Sequence, residues 1–563
     1  MRMMSCRRML AICWSLVLSV VAMTPVVAQS WVKKASKSVF TLKTFAADGT
    51  LRASSYGFFV GANGEAVSSF EPFRGASAAT VIDAAGKEYP VEAMLGANET
   101  YDVAKFRVNA KKTQPLTLAA VKGTEGAAVW LLPYLEQKTA VEGVLRKAET
   151  FGDGYAYYTA ALVMPQDGVG LPLFNADGEV LGLMQQPSGD ADSLCFAVSA
   201  LYADSLKISG LSINDATLRA TSIKKALPAD LSQAQLALFV APSALDSADY
   251  VQLVDDFIAQ FPAEQDGYVT RAQLAAIGGR YADADRDIAY AVKIGAKPDE
   301  VHFSYSRMIY QQQVYNAQNA SPDWTLDRAL DEAQTAYNLN PQPSYLQQQA
   351  YVLYAQHKYA EASALYEQLY GSVLRSPDLF VEGAQCRLMQ ADTLGQLALL
   401  DSAVALFSRP LLREAAPYVM ARANARREAG RYRDAVNDLN DYEQLLPTRV
   451  NDSFYFVRYQ TEVKGRLFQQ ALADIAKAIQ MNPHEVLYYA EKASLEVRVN
   501  LIDDAIATAT ACIAEDSVYS EGYLFLGLAQ CLKGDKAEGI RNLQKAKELG
   551  DEQADALIEK YGN

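Results

Sequence analysis

The feature that most constrains this chain of 563 residues is a repeat in its second half. Gly430-x-Tyr432-x-x-Ala435-x3-Leu439 is followed by Pro447, and the outline returns at Ala471 with Pro483, at Ala505, and at Gly539-x3-Leu543-x2-Ala546. The small residues recur every 34 to 36 positions. Toward the N-terminus the pattern extends through Gln396-Leu397-Ala398 with Pro410, Lys358-Tyr359-x-x-Ala362, Ala329 with Pro341, and Gly279-x-Tyr281-x-x-Ala284. In five units another small residue stands twelve places earlier, at Ala272, Ala350, Ala423, Ala493 and Gly527. Two helices cannot bury their own apolar faces, so small residues permit close approach within a unit while neighbouring units supply the remaining core. About eight units are expected over residues 244–563, with the one around Ala329 stretched by residues 316–323.

This arrangement resembles the tetratricopeptide repeat (TPR), in which small residues early in each helix meet and a Pro ends the second helix. The resemblance implies a right-handed solenoid whose concave face is lined by the first helix of every unit. The register set by Ala362, Ala398, Ala435, Ala471 and Ala505 then puts eleven residues on or near that face: Gln347, Tyr351, Tyr354, Arg387, Met420, Asn424, Arg427, Phe456, Gln460, Lys464 and Arg498. Aromatic anchors mixed with Arg and amide donors are the composition that holds protein or peptide partners. His357 and His484 fall at inter-helix turns with no second ligand at helical spacing, so no metal site and no cofactor are expected.

Charge narrows the partners further. Residues 244–563 carry 45 acidic against 30 basic residues in a chain of net charge −14, a surface that repels phosphate backbones and argues against nucleic-acid binding. At the N-terminus, Arg2, Arg7 and Arg8 precede an apolar run from Met9 to Met23, and Val26-Val27-Ala28 offers a small-residue cleavage site. Residues 1–28 therefore read as a signal peptide. A retained anchor is the alternative, but the run falls short of the ~20 residues a spanning helix needs. No later segment looks transmembrane. With Cys6 and Cys13 removed, Cys195, Cys386, Cys512 and Cys531 are too few and too scattered for a disulfide framework. The expected address is the periplasm, or export beyond it, of a Gram-negative bacterium, with partners in the cell envelope.

Residues 30–205 read as strands. Ser38–Thr44, Ser55–Val60 and Gly64–Ser68 alternate or run apolar between Gly, Asn and Asp, and Gly168–Leu183 holds two apolar runs joined by Asn175-Ala176-Asp177-Gly178. With Tyr101–Val108 before that hairpin and Cys195–Ser199 after it, the order of these segments resembles the trypsin-like, HtrA-type serine peptidases, over about residues 36 to 200. The resemblance implies two antiparallel barrels and a Ser-His-Asp site. Glu71 stands where the family has its His, Asp102 keeps the place of the acid, and Val169 takes that of the nucleophilic serine. Leu171 replaces a glycine beside the oxyanion hole. The three histidines of the chain are His302, His357 and His484, so no register shift supplies a base within residues 1–301. Ser68, Ser69 and Ser193 are the alternative hydroxyls, each an ordinary turn or surface serine without a base. Glu71 and Asp102 could instead face each other as an acid/base pair, or Glu71 could turn to solvent. No further carboxylates suit a calcium site.

Residues 206–243 read as a helical joint, with Asn214 or Asp215 capping a helix over 216–227, Pro228 ending it and Leu231–Phe239 starting another. The expected architecture is multidomain, an all-β trypsin-like double barrel followed by an all-α TPR solenoid. The expected function is a secreted, non-catalytic adaptor or scaffold. A serine endopeptidase with an atypical active site is the alternative, and a third is an assembly part of an envelope machine whose barrel is packing material.

Overall fold

The computed structural model describes residues 28–132, 140–152, 154–165, 168–185 and 194–562. Residues 1–27, which hold most of the expected signal peptide, and Ser193 lie outside them. The chain divides into two compact units at Leu274/Ala275.

In the first unit, β1 (Val39–Phe45), β2 (Leu51–Phe59), β3 (Glu65–Ser68), β4 (Ala78–Ile82), β5 (Glu88–Asn98) and β6 (Val103–Val108) close a barrel in the order β1-β2-β3-β6-β5-β4. Alternation along β1 turns Phe40 and Leu42 inward, where Phe40 meets Phe59 at 4.8 Å and Phe106 meets Phe73 at 5.0 Å between ring centroids. The second barrel runs β10-β11-β12-β9-β8-β7, from β7 (Ala128–Leu131), β8 (Val141–Phe151), β9 (Tyr155–Ala161), β10 (Pro172–Phe174), β11 (Val180–Met184) and β12 (Leu194–Ser199). Its β10–β11 hairpin forms as the sequence requires. Gly178 takes φ +76°, and Asn175 Oδ1 accepts from the amides of Asp177 and Glu179 at 3.0 and 2.9 Å. A Cβ on Gly178 would strike Trp31 at 2.5 Å.

The joint differs from expectation. Asp215 does cap a helix, accepting from Leu218 N at 2.9 Å, but that helix is a single turn, Ala216–Arg219, rather than one reaching Leu227. The following backbone pairs with β5 instead: Met94 N donates to Lys224 O, and Ala226 N to Met94 O. Thr221 and Ile223 are β-branched and buried, and their side chains suit that extended course better than a helix. Helices Leu231–Val240 and Ser247–Gln260 follow, and Gln265–Ile277 carries the chain into the second unit.

The second unit opens with helix Tyr281–Ile294. Seven helix pairs come next: Pro298–Tyr315 with Leu326–Leu339, Pro343–Ala355 with Tyr359–Leu369, Pro377–Met389 with Thr393–Ala405, Ala416–Glu428 with Tyr432–Leu445, Asp452–Lys464 with Phe468–Met481, Val486–Arg498 with Ile502–Glu515, and Ser520–Lys533 with Lys536–Glu548. Helix Ala554–Gly562 ends it. The small residues sit where helices cross. Ala350, Ala362, Ala423, Ala435, Ala471, Ala493 and Ala505 are fully buried, and a Cβ on Gly527 would meet Gly539 O at 2.7 Å. In the stretched unit Ser306 plays this part, its hydroxyl donating to Ala329 O at 2.7 Å. One register is corrected. In the other pairs the buried small residue is the fourth of its helix, which in Thr393–Ala405 is the buried Gln396, while Ala398 is exposed.

Candidate active site and peptide groove

The barrel site is assembled by three loops. Asp102 lies between β5 and β6 with φ 48°, a left-handed conformation that aims its carboxylate back at the end of β3. Oδ1 accepts from Phe70 N and Glu71 N, both at 2.8 Å, and Oδ2 accepts from the Ser69 hydroxyl. The carboxylate thus caps the short 3-10 turn Glu71–Phe73. Burial pushes the Asp102 carboxyl above its usual range, against the opposing pull of its three donors.

Glu71 does not face Asp102. Its side chain is 69 % exposed and pairs with Arg74 at 3.1 Å, which reaches Glu99 at 2.5 Å. Only the Glu71 amide touches the acid. On the opposite wall the half-buried Val169 accepts from Tyr56 N at 3.0 Å through its carbonyl. Gly170, φ +87°, passes so close to β2 that a Cβ would lie 2.0 Å from Tyr56 O. Gly170 N donates to Met184 O at 2.9 Å and Leu171 N to Gly168 O at 3.3 Å, while the Leu171 side chain is buried. Gln185 Nε2 donates to Tyr101 O at 2.7 Å. Ser68 donates to Tyr56 O at 2.6 Å, and both Ser68 and Ser69 are fully buried. The Ser69–Asp102 bond spans 33 residues, which local motif reading does not detect.

These contacts yield a prediction. Glu71→His with Val169→Ser leaves casein turnover at background, because Ser69 holds one Asp102 oxygen, Leu171 fills the loop, and such sites tolerate little misplacement. Appreciable turnover by the double variant would show that the loops already hold a working geometry.

In the helical array, the eleven positions separate into three groups. Asn424, Arg427, Gln460 and Lys464 line one cavity of about 340 Å³ with Glu428, Tyr432 and Thr461, between consecutive first helices. Arg427 Nη1 donates to Asn424 Oδ1 at 3.4 Å. Lys464 Nζ stands 5.8 Å over the Tyr432 ring, and Arg498 stands 5.0 Å over that of Phe468. A second group is engaged within the array. Gln347 and Tyr351 both donate to Glu382, at 3.0 and 2.8 Å, Tyr354 packs edge-on against Tyr359 at 5.2 Å, and Phe456 contacts Tyr488 at 4.9 Å. Met420 is half-buried. Arg387 is the third case and a correction. It pairs with Glu367 and with Asp392, the latter at 3.3 Å, at the helix turn. The shift from Ala398 to Gln396 displaces it, and the corrected register assigns Val381, Gln385 and Leu388 to the corresponding face.

His357 is exposed and bonds Tyr359 Oη at 2.6 Å, and His484 pairs with Glu515 at 2.9 Å. Among the described residues no group of three His, Cys, Asp or Glu could hold a metal ion, the four cysteines are free and buried, and no helix is long and apolar enough to cross a membrane.

Two closed six-stranded antiparallel barrels followed by helix pairs of this kind are a trypsin-like double barrel and a TPR-like α-array. Similar solved structures include the active form of the Rv3671c protease from M. tuberculosis, 20 % identical, covering 37 % of this chain and 94 % of that one with a TM-score of 0.29. The serine endoprotease from Yersinia pestis is 16 % identical, covering 35 % and 68 %, also with a TM-score of 0.29. Small glutamine-rich tetratricopeptide repeat-containing protein 2 of Saccharomyces cerevisiae is 24 % identical over 136 residues, 24 % of this chain and 39 % of that protein. The TPR repeat-containing thioredoxin TDX of Arabidopsis thaliana is 29 % identical over 94 residues, 16 % and 25 % of the two chains. The chain spans less than half the length of these curated relatives. No protein-family model matches it.

Proposed function

We propose that this protein captures segments of other proteins in the groove of its helical array and cleaves none of them. The carrying observation is the cavity shared by helices Ala416–Glu428 and Asp452–Lys464, where two cations and two amides converge on one opening. Such a mixture, on rigid helices, fits a peptide's polar groups without demanding one sequence. The barrel supports the non-catalytic half of the reading. It contains no imidazole, Ser68 and Ser69 are committed to other oxygens, and its acid caps a turn. The order of basic, apolar and small residues over 2–28 supports an exported, periplasmic chain with envelope partners, which N-terminal sequencing of the native protein starting at Gln29 would bear out.

Two measurements test the reading. Asn424→Ala with Arg427→Ala weakens capture of the native partner by about 1–3 kcal/mol and leaves the thermal midpoint nearly unchanged. Equal recovery in quantitative pull-downs moves the binding site elsewhere. A serine-reactive fluorophosphonate leaves the purified chain unlabelled, and labelling that vanishes on mutating one serine would establish a hydrolase.

A further inference from the structure

Three cations stand near the ends of successive first helices: Arg427, Lys464 and Arg498. Among the described residues none of the three forms an ion pair, although this half of the chain has an excess of acids. Their neighbours Arg422 and Arg458, which are buried, and Arg426, which is half-buried, pair with Asp401, Asp438, Asp474 and Glu443, so these four acids are already engaged. The free cations are held in place by uncharged groups, an amide oxygen for Arg427 and ring faces for Lys464 and Arg498. An aromatic face orients a cation without neutralising it, leaving it available to an incoming anion.

The first helices also touch one another. Phe456 meets Tyr488, and Tyr459 Oη donates to Glu491 O at 3.0 Å. Packed helices lie about 8–10 Å apart, and a peptide extended as a polyproline II helix advances about 3.1 Å per residue with three residues per turn, so its every third side chain faces the same way and one step along the ladder matches about three residues.

Resting on the groove reading above, we propose that the array recognises an extended acidic segment of a partner protein whose carboxylates recur at every third residue, one against each of Arg427, Lys464 and Arg498. Glu428 on the cavity rim repels an acid placed out of step and so sharpens the spacing.

The test uses the full chain and dye-labelled synthetic peptides with amidated ends, read by fluorescence anisotropy. A peptide with Glu at every third position binds at least tenfold more tightly than one of the same composition with its Glu contiguous, and added salt weakens it. Arg427→Gln, Lys464→Gln and Arg498→Gln together abolish that preference, while Lys464→Arg keeps it. Circular dichroism confirms that the variants fold. Equal affinity for the two spacings, no binding of either, unaltered binding by the triple variant, or binding only of a neutral peptide with a free C-terminal carboxylate overturns the proposal. If the peptides fail while capture of the native partner still depends on Asn424 and Gln460, the acidic spacing is wrong and the groove reading stands. If capture is indifferent to those two residues as well, the groove reading falls.

Discussion

Arg458→Met is expected to destabilise the helical array by about 3–5 kcal/mol, the cost of stranding buried charges rather than of losing a surface pair. The Arg458 side chain is 5 % exposed. Its Nε and Nη2 form a fork to Asp474 at 2.5 and 3.0 Å, and Nη1 reaches Glu443 at 2.7 Å and Asn440 at 2.9 Å. Glu462 lies alongside, buried, with Oε2 lacking any hydrogen-bond partner. Methionine replaces the volume and leaves the Asp474 and Glu443 carboxylates with no guanidinium. Denaturant unfolding followed by helical circular dichroism measures the loss, and a change under about 0.5 kcal/mol would mean that water reaches the cluster and screens it.

The second large effect has the opposite sign, one helical turn away. Burial, then the charge of Asp474, push the Glu462 carboxyl up to about 8, only partly countered by Arg458 and Lys477. The unfolded chain releases this proton near pH 4.5, whereas the folded array holds it until about pH 8. Between those values the folded state binds the extra proton, so the group's contribution is fully present below pH 4.5 and is lost as pH rises through the window. Glu462→Gln keeps a neutral polar group in place at every pH. The variant is therefore expected to match the wild type near pH 4.5 and to exceed it by about 2–4 kcal/mol at pH 8. A difference that stays flat across this range would show that Glu462 is ionised throughout.

This charged cluster also shows where sequence reading stopped. Arg422, Ala435 and Asp438 have the same spacing as Arg458, Ala471 and Asp474, and both Arg–Asp pairs are buried. In the next unit Lys492 and Thr508 take those places, with Nζ donating to the hydroxyl at 2.8 Å. The repeat that located the small residues carried this second signal, but isolated charges read as surface because charged side chains are seldom buried. Small residues were legible because helix crossings tolerate nothing larger. The unit around Gln396 was not, since helix Thr393–Ala405 is apolar on nearly every side and offers no stripe to fix its rotation. Its start is set by Asp392, whose Oδ1 accepts from Gly395 N at 2.9 Å. Arg387 was misplaced for that reason.

In the barrels, motif order singled out Asp102, Glu71 and Val169, which lie in loops next to strands. What those residues touch depended on contacts distant in sequence, such as Ser69 with Asp102 and Val169 with Tyr56. The expected helix over 216–227 failed because a cap marks where a helix starts and says nothing of how far it runs, while β5 offered the following backbone a partner.

The most direct test of the account places a photo-crosslinking benzophenone side chain at Gln460 or, separately, at Glu71 in the full chain expressed in its native cell, followed by mass spectrometry of the adducts. The account predicts that Gln460 yields a partner of intact length and that Glu71 yields none. Adducts confined to Glu71, or partners recovered from either position as cleaved fragments, would contradict it.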